Sequence, residues 1–426
     1  MRNLLNRRAL LASGGAPLIV SARTLGAYAP SNRVAVGVIG VGRQTVFVNL
    51  KQFLAMPEVQ VVAVCDVDSW RLENARRQVE AAPGAKGCKT YRNYKELLAD
   101  RTIDAVMIAT PDHWHVPMSM DAVRAGKDVS CEKPLTRSIG EGRALADLVK
   151  RNKRVFRTDS EYRSKAWYHQ AREAVLNGRI GNLVTIHTGV PKGDVACPPQ
   201  PEMPVPPELD YELWQGNAPR APYTEKRVHK PKAYERPGWM RRLEYCDGMV
   251  DNWGTHHNDR AQSANGTDRT GPVEVEGKGT YPEPESFWQV LLDFEIHYRY
   301  ANGVRLIYKI DQPSLRFEGT EGWIYADDTG KIEASKPSIL APPSGSNWIR
   351  LPMKVDKQDF IDAVRSRGET MADAEVGHRT TSLCHLGHIA IQVGKRLEWD
   401  PARERFTNSE AANSFINKPI HAIKQS

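Results

Sequence analysis

The segment Gly37–Thr45, with the sequence Gly-Val-Ile-Gly-Val-Gly-Arg-Gln-Thr, has the composition of an anion-binding turn. Gly40 permits a tight turn after an apolar run, and Gly42 lets the backbone come close to a ligand. A helix beginning near Arg43 would present its N-terminal amides to a pyrophosphate. The segment therefore predicts a dinucleotide site, with a purely structural strand–helix turn as the alternative.

Asp66 ends the next apolar run, about 20 residues further on, where a carboxylate accepts hydrogen bonds from ribose hydroxyls. A carboxylate at this point also repels a 2′-phosphate, so the sequence favours NAD over NADP as cofactor. Arg71 is close enough along the chain to leave NADP as the alternative.

Lys133 follows a fourth apolar run, in the segment Cys131-Glu132-Lys133-Pro134. Ligands of parallel sheets lie beyond the carboxyl ends of the strands. A lysine buried there loses some preference for its charged form and can donate or accept a proton near neutral pH. Spacing alone is equally compatible with a surface cation.

The elements that must position these residues alternate between strands and helices from residue 33 onward, which predicts a doubly wound parallel sheet. Continuous apolar runs indicate strands that are buried on both faces. The predicted strands are Val34–Ile39, Val61–Val64, Ala105–Ala109 and Val129–Cys131. The predicted helices are 69–80, 94–99, 115–125 and 138–152.

The pattern changes after about residue 155, where alternating runs separated by turn residues predict an open, mostly antiparallel sheet. These runs are Leu183–Thr188, Val273–Gly277, Phe287–Phe294, Ile296–Ala301, Val304–Ile310 and Trp323–Ala326. Helices are predicted at 165–177, 356–366 and 374–396. The fold class is therefore α/β, with an N-terminal parallel sheet followed by an α+β domain. The expected divisions are a signal at 1–29, domains at 31–155 and 156–396, and a tail at 397–426.

Several of these segments together resemble the glucose–fructose oxidoreductase/inositol dehydrogenase (Gfo/Idh/MocA) family, whose first domain is a Rossmann fold. The resemblance extends over nearly the whole chain after the signal. It rests on the glycine turn, Ala109–His115, Glu132-Lys133-Pro134, Asn252–Asp259 and Phe317–Trp323.

The resemblance implies a role for individual residues. Lys133 would be the catalytic lysine and His256 the general acid/base, while Glu132 would contact the cofactor ribose. The Lys133–Pro134 peptide is expected in the cis form. Thr110 and Pro111 would line the cofactor, together with His115 at the start of the next helix. Asp259 would bind or orient the substrate.

The chain departs from the family pattern at two positions. Asn252 stands where the family usually has an aspartate, four residues before His256. Glu161 stands where the family often has a glutamine near the nicotinamide, and it is a candidate for the missing carboxylate. Arg163 and Tyr162 are candidates for substrate contact because they fall near the domain junction.

Metal binding is the rival interpretation for the histidines of the two motifs, and no metal is predicted. The sequence lacks an i, i+4 pair of histidines with a carboxylate, as zinc hydrolases have. The C-terminal His378, His385 and His388 share a predicted helix and are expected to be structural. The histidines weighed as ligands are His113, His115, His187, His256 and His257.

The composition excludes some partners. The net charge is +8, and four arginines in the first 30 residues contribute half of it. The rest of the chain carries about +4, a small excess that does not predict a nucleic-acid groove. No apolar run is long enough for a membrane span. An open sheet with an exposed face favours a homodimer or homotetramer formed through the C-terminal sheet.

The N-terminus has the pattern of an export signal. Asn6–Leu11 contains a twin arginine, an apolar stretch runs to Val20, and Ala27-Tyr28-Ala29 fits a cleavage site. A disordered basic tail is the alternative. The pattern predicts a periplasmic or otherwise exported protein, folded around its cofactor before export.

The leading functional hypothesis is an oxidoreductase that transfers a hydride between a tightly held NAD(P) and a sugar or polyol hydroxyl or ketone. The second is NAD-dependent, redox-neutral glycoside cleavage through a keto-sugar intermediate. The third is a non-catalytic carbohydrate-binding protein. Aromatic residues in 191–245 either stack on sugar rings or cover the second domain.

Overall fold

The computed structural model describes residues 32–85, 87–342 and 348–419, and the predicted signal at 1–29 lies outside these residues. Within the described part, no helix has the length and apolar character that a membrane crossing requires.

The N-terminal domain is built on a six-stranded parallel sheet, as predicted. The strands are β1 Val34–Ile39, β2 Val59–Cys65, β3 Lys89–Tyr91, β4 Ala105–Ile108, β5 Asp128–Glu132 and β6 Phe156–Asp159. They lie in the order β3-β2-β1-β4-β5-β6, so the direction of winding reverses between β1 and β4. The carboxyl ends of β1 and β4 therefore open the crevice in which ligands of such sheets bind.

Helices cover both faces of this sheet. A π-helical turn, Thr45–Asn49, leads into the first helix. The helices are α1 Leu50–Leu54, α2 Ser69–Glu80, α3 Tyr94–Ala99, α4 His115–Arg124 and α5 Ile139–Asn152.

Two strands of this sheet are absent from the predicted set, and β6 extends the sheet past the expected boundary at residue 155. β6 has the sequence Phe-Arg-Thr-Asp and lacks an apolar run. Its Arg157 is fully buried because it pairs with Asp159 at 2.7 Å and with Asp359 at 3.1 Å. Burial of this strand thus depends on ion pairing with a distant helix, which local hydrophobicity does not show.

The C-terminal domain contains a mostly antiparallel sheet, as predicted, although its nine strands in the described residues are more than the predicted runs supply. Its strands are β7 Leu183–Val190, β8 Glu274–Thr280, β9 Asp293–Arg299, β10 Arg305–Ile310, β11 Ser314–Gly319, β12 Trp323–Asp327, β13 Ile332–Ala334, β14 Leu397–Asp400 and β15 Arg405–Phe406. The order is β13-β12-β11-β7-β10-β9-β8-β14-β15, and β7 pairs with β10 in parallel.

The remaining helices are α6 Ala166–Leu176, α7 Tyr211–Gln215, α8 Met249–Asn252, α9 Gly254–Ala264, α10 Asp356–Ser366, α11 Ala374–Val393 and α12 Glu410–Asn413. Every residue of α9 is buried between the sheet and α11. α10 returns to the first domain, where Phe360 and Ile361 join the apolar core beside β1. The two domains therefore share a helix that lies late in the sequence.

One sequence expectation about the second sheet was wrong. The runs Phe287–Phe294 and Ile296–Ala301 form a single strand, β9, that begins at Asp293. The preceding residues bond elsewhere: the amide of Phe287 donates to Cys197 and that of Gln289 to Arg241. Hydrogen bonds to the aromatic-rich segment 191–245 therefore replace the strand pairing that the composition of residues 287–292 predicts.

The outer face of the second sheet is polar. Glu276, Lys278, Arg299 and Arg305 are exposed on it. This face is not an apolar surface that needs cover, so it does not by itself support assembly through the sheet. Oligomerisation stays a prediction.

Candidate active site

The glycine turn lies at the carboxyl end of β1 and has the predicted geometry. Gly40 has a φ of +82°, and a Cβ at this position would lie 2.6 Å from the carbonyl oxygen of Ala109. A Cβ on Gly42 would meet nothing closer than an Arg71 nitrogen at 3.7 Å. Gly40 is therefore required by crowding between β1 and β4, while Gly42 leaves its open side toward a cavity. Arg43 begins the following helix and is exposed.

Asp66 lies beside this turn at the end of β2. Its carboxylate accepts hydrogen bonds from the backbone amides of Val41 at 2.8 Å and Asp68 at 2.9 Å. Burial raises the pKa of Asp66, and the two amides act against that rise. Two amide bonds occupy about half of the lone pairs of a carboxylate, so Asp66 can still accept further donors.

The side chain of Arg71 is bonded to neighbouring residues on the cavity rim. It donates to the carbonyl of Ala233 at 2.8 Å and to His229 at 3.3 Å, and it lies over the ring of Tyr234 at 5.0 Å. These contacts anchor segment 191–245 beside Asp66.

Thr110, Pro111 and His115 line the same cavity from the carboxyl end of β4. The hydroxyl of Thr110 is buried and has no hydrogen-bond partner among the described residues. The two ring nitrogens of His115 face the carbonyls of Pro134 at 2.7 Å and Thr110 at 2.9 Å. His115 therefore braces the ends of β4 and β5 with both nitrogens occupied.

Glu132 ends β5 and is buried. The amide of Asn49 donates to its Oε1 at 2.8 Å. Burial, reinforced by the nearby carboxylate of Asp159, raises the pKa of Glu132 to about 7. The contribution of Asn49 was not predicted, and its polar side chain within an apolar helix is the one signal that points to it.

Lys133 follows a buried strand and points across to the second domain. Its amine donates to the backbone carbonyl of Asn252 at 2.9 Å. The Lys133–Pro134 peptide is cis, as expected. The ammonium is therefore held by the carbonyl at the end of α8, next to the histidine helix.

His256 lies in α9 and faces the same cavity as Lys133. It is buried, its Nδ1 has no hydrogen-bond partner among the described residues, and its ring centroid lies 4.4 Å from that of Tyr162. Burial holds the pKa of His256 well below its usual range, and the charges of Lys133 and Arg260 lower it further. The imidazole is therefore neutral at neutral pH and able to accept a proton.

The two positions that depart from the family pattern also line the cavity. Asn252 supplies the carbonyl that holds Lys133. Burial, reinforced by the charge of Asp356, raises the pKa of Glu161, and the charge of Lys133 opposes the rise. Glu161 thus brings a partly desolvated carboxyl close to the lysine.

Arg163 and Asp259, predicted to contact substrate, lie behind the cavity and do not line it. Arg163 forms a two-pronged ion pair with Asp259, with distances of 2.6 and 2.7 Å. Asp259 also accepts from Ser160 at 2.7 Å and Thr380 at 3.1 Å. These bonds satisfy both side chains internally, so the pair joins β6, α9 and α11 and presents no group to a ligand.

The cavity has a volume of about 450 Å³ and joins the two domains. Twelve of the fourteen predicted site residues line it: Gly40, Gly42, Arg43, Asp66, Thr110, Pro111, His115, Glu132, Lys133, Glu161, Asn252 and His256. Trp214 and Trp239 of the aromatic segment close one side. A wider cleft of about 960 Å³ adjoins it near Arg92 and Leu213 but contains none of these fourteen residues.

The histidines weighed as metal ligands do not converge. His113 faces the carbonyl of Trp214 at 3.1 Å, and burial lowers its pKa to about 3. His257 lies 3.7 Å from Asp328, and His187 lies 3.4 Å from Glu318 on the outer face of the sheet. Each of these three therefore has a local structural partner.

Known proteins share this architecture. An aldose–aldose oxidoreductase of Caulobacter crescentus, solved with glycerol, matches with a TM-score of 0.64 and 17% identity over 86% of this chain and 99% of that one. At this identity the likeness concerns the fold.

Curated relatives match over shorter stretches. An uncharacterised oxidoreductase of Schizosaccharomyces pombe is 28% identical over 158 residues, which are 37% of this chain and 42% of that protein. A glycosyl hydrolase family 109 protein of Saccharopolyspora erythraea is 35% identical over 131 residues, 30% of this chain and 28% of that protein. The matches thus span less than half the length of these two relatives.

Family models cover most of the chain. The model for the oxidoreductase family's NAD-binding Rossmann fold matches residues 34–160, the part that holds the glycine turn, Asp66 and Lys133. The model for the family's C-terminal alpha/beta domain matches residues 193–425, more than half of the chain. The chain therefore belongs to the Gfo/Idh/MocA family of oxidoreductases, with an NAD-binding Rossmann domain at its N-terminal end.

Proposed function

We propose that the protein transfers a hydride between a tightly held NAD and a hydroxyl or ketone group of a sugar or polyol. The observation that carries the proposal is a single cavity lined by the glycine turn together with Lys133 and His256. Its volume of about 450 Å³ lies within the range of small-molecule sites. The similar C. crescentus protein is an aldose–aldose oxidoreductase, which supports a carbohydrate substrate.

The cavity fits a dinucleotide. The unpartnered hydroxyl of Thr110 and the open side of Gly42 supply a donor and room for the backbone to approach a pyrophosphate. Asp66 retains lone pairs for ribose hydroxyls and repels a 2′-phosphate, which favours NAD over NADP. When bound, NAD accepts or returns the hydride.

Lys133 and His256 divide the proton chemistry. The neutral imidazole of His256 accepts the hydroxyl proton as the carbinol carbon is oxidised. The ammonium of Lys133 then stabilises the developing alkoxide, and the carbonyl of Asn252 fixes its position. In the reverse direction, the imidazolium returns the proton to the alkoxide.

Segment 191–245 supports tight retention of the nucleotide. Besides the contacts of Arg71, the amide of Ser69 donates to Glu208 at 2.9 Å and that of Asp210 donates to Val67 at 3.0 Å. Buried aromatic and aliphatic side chains of the segment pack together beside Val67. A covered nucleotide is suited to recycling by a second substrate, and it fits export in the folded state through a twin-arginine signal.

The test begins with nucleotide released from purified, folded protein, which should be NAD. Adding candidate sugars should raise the near-ultraviolet absorbance of reduced nicotinamide in the wild type, and far more slowly in Lys133→Ala. Retention of nucleotide by Lys133→Ala serves as the folding control. Absence of any bound or bindable nucleotide would refute the proposal and favour a carbohydrate-binding protein without catalysis.

Redox-neutral glycoside cleavage is the second candidate. The match to a glycosyl hydrolase family 109 protein favours it. Burial also raises the pKa of Glu161, a shift toward the protonated form that can donate to a leaving group. Glycoside cleavage without net formation of reduced cofactor would establish it. Loss of cleavage in Glu161→Gln would assign the acid.

A homodimer or homotetramer through the second sheet is proposed as the assembly. Because the outer face is charged, the contact would depend on ion pairs and weaken as salt is added. Light scattering at low and high salt tests this, and a monomer at both would refute it.

A further inference from the structure

A second cluster of ligating side chains lies apart from the cavity, between α8, α11 and the loop that follows Lys133. It consists of Asp247, Asp251 and His385, all at most 2% exposed. One ligating atom from each of the three lies within 4.8 Å of the others. The Nδ1 of His385 is 3.4 Å from Asp251 Oδ2 and 3.7 Å from Asp247 Oδ2.

The outer neighbour of His385 is Thr136. The Nε2 of His385 lies 3.2 Å from both the carbonyl oxygen and the hydroxyl of Thr136. When Nε2 carries the proton, it donates to that carbonyl, and Nδ1 then directs a lone pair toward the two carboxylates. A metal-ligating histidine is held in this way, with its outer nitrogen donating to a backbone carbonyl.

The inner groups have an excess of negative charge. The carboxylate oxygens of Asp251, which is 0% exposed, meet no N–H or hydroxyl donor among the described residues, and their one polar neighbour is the carboxyl of Asp247. Arg137 pairs with Asp247 at 2.6 Å, and the charge of Asp112 also acts on this guanidinium. Three buried carboxyl groups around one buried guanidinium leave an excess of two negative charges if all are ionised. A buried lone pair and two buried carboxylates that face each other require a cation or protons between them.

We propose that Asp247, Asp251 and His385 bind one divalent transition-metal ion, with Zn²⁺ as the best-fitting species. Ligands about 2.1 Å from a tetrahedral zinc lie about 3.4 Å apart, close to the two histidine–carboxylate distances. An imidazole with two carboxylates suits Zn²⁺ better than Mg²⁺ or Ca²⁺. His388, one turn along α11, has its Nδ1 3.8 Å from Asp247 Oδ1 and is a candidate fourth ligand. Arg137 contacts Asp247 Oδ2 at 2.6 Å, so that oxygen would be shared between the guanidinium and the ion, or Asp247 would offer the ion its Oδ1.

The ion is placed to stabilise the active-site geometry without touching the cavity. Asp251 immediately precedes Asn252, whose carbonyl holds the Lys133 amine. Thr136, the outer partner of His385, lies three residues after Lys133 in the chain. The ion would thus tie to α11 the two segments that hold Lys133 in place, and its role would be structural.

The test measures metal by mass spectrometry in tag-free protein produced with added zinc. About one ion per chain is expected in the wild type, as for a structural site. His378→Gln is the matched control, because His378 is a buried histidine of the same helix that pairs with Glu404 at 2.7 Å outside the cluster. This variant should retain the ion, whereas Asp251→Asn and His385→Gln should lose it.

Wild-type protein with Co²⁺ in place of Zn²⁺ provides a readout if these variants do not fold. The cobalt protein should show visible absorption typical of a four-coordinate site, and chelation should lower its unfolding midpoint. A folded wild type without metal, a cobalt form without such absorption, or full metal content in Asp251→Asn would overturn the proposal. The first result would assign shared protons to the carboxyl pair. Metal content does not depend on activity, so it can fail while the oxidoreductase proposal stands.

Discussion

Replacing Glu132 by Gln should stabilise the nucleotide-free protein above neutral pH while weakening nucleotide binding. Glu132 is buried at the end of β5, receives the Asn49 amide, and lies near the carboxylate of Asp159. The folded protein therefore disfavours the charged form, and the pKa of Glu132 rises from 4.5 to about 7. Gln has nearly the same shape and never carries the charge.

The magnitude and sign follow from this pKa. A rise from 4.5 to about 7, at ~1.4 kcal/mol for each pKa unit, corresponds to about 3 kcal/mol. Below about pH 4.5 the carboxyl is protonated in both states and the penalty is absent. It grows as the pH rises through this range and is complete above about pH 7. The weaker bond from Asn49 to a neutral amide removes about 1 kcal/mol, which leaves a net gain of about 2 kcal/mol at pH 8.

Thermal unfolding of nucleotide-free wild type and Glu132→Gln at pH 5 and pH 8 measures this difference. We expect a midpoint raised by roughly 4–8 °C at pH 8 and no increase at pH 5. Affinity for NAD should fall roughly tenfold, since the ribose loses a charged acceptor. Glu276→Gln, on the exposed outer face of the second sheet, is the control and should change neither quantity. Equal midpoints of wild type and Glu132→Gln at pH 8 would refute the reasoning.

The remaining predictions concern other residues of the site and its support. Lys133→Ala should lower kcat about 10²–10³-fold with nucleotide retained, because one stabilising charge on the alkoxide is lost; steady-state kinetics measure this, and unchanged kcat would count against the mechanism. Because the pKa of His256 is held well below its usual range, kcat/KM should stay level as the pH falls from 8 to about 6, and a fall centred near about 6.5, the pKa of a solvent-exposed histidine, would contradict its burial. Asp66→Ala should lower the affinity for NAD and reduce the ratio of NAD affinity to NADP affinity in binding titrations. An unchanged ratio would show that Asp66 does not select NAD. Arg163→Ala should lower the free energy of unfolding by about 3–5 kcal/mol, because buried Asp259 loses its partner; denaturant unfolding tests this, and a loss below about 1 kcal/mol would indicate a different role.

The first domain was largely predictable because its central strands are apolar on both faces. The apolar composition of Val34–Ile39 and of the neighbouring strands identifies them as buried strands. The glycine turn and Lys133 follow the ends of such strands, and in a parallel sheet these ends lie at the same edge. The cavity contacts of most predicted residues follow from that topology.

Features that depend on long-range pairing were not predictable in the same way. β6 is buried through Arg157, which has partners on α10 some 200 positions away in the chain. Arg163 and Asp259 resemble ligand-binding residues by type, but each satisfies the other, and only the packing of α9 shows this. Asp251 and His385 lie on separate helices, so their approach has no counterpart in local spacing.

The central claim is that Lys133 and His256 face the reacting carbon of a carbohydrate beside a bound nicotinamide. Purified protein with its own nucleotide, mixed with a sugar or polyol carrying deuterium on the carbinol carbon, tests this directly. Mass spectrometry of the released nucleotide should find deuterium on the nicotinamide ring in wild type, and this label should appear about 10²–10³-fold more slowly in Lys133→Ala. Unlabelled nucleotide after turnover of the labelled substrate would contradict the account.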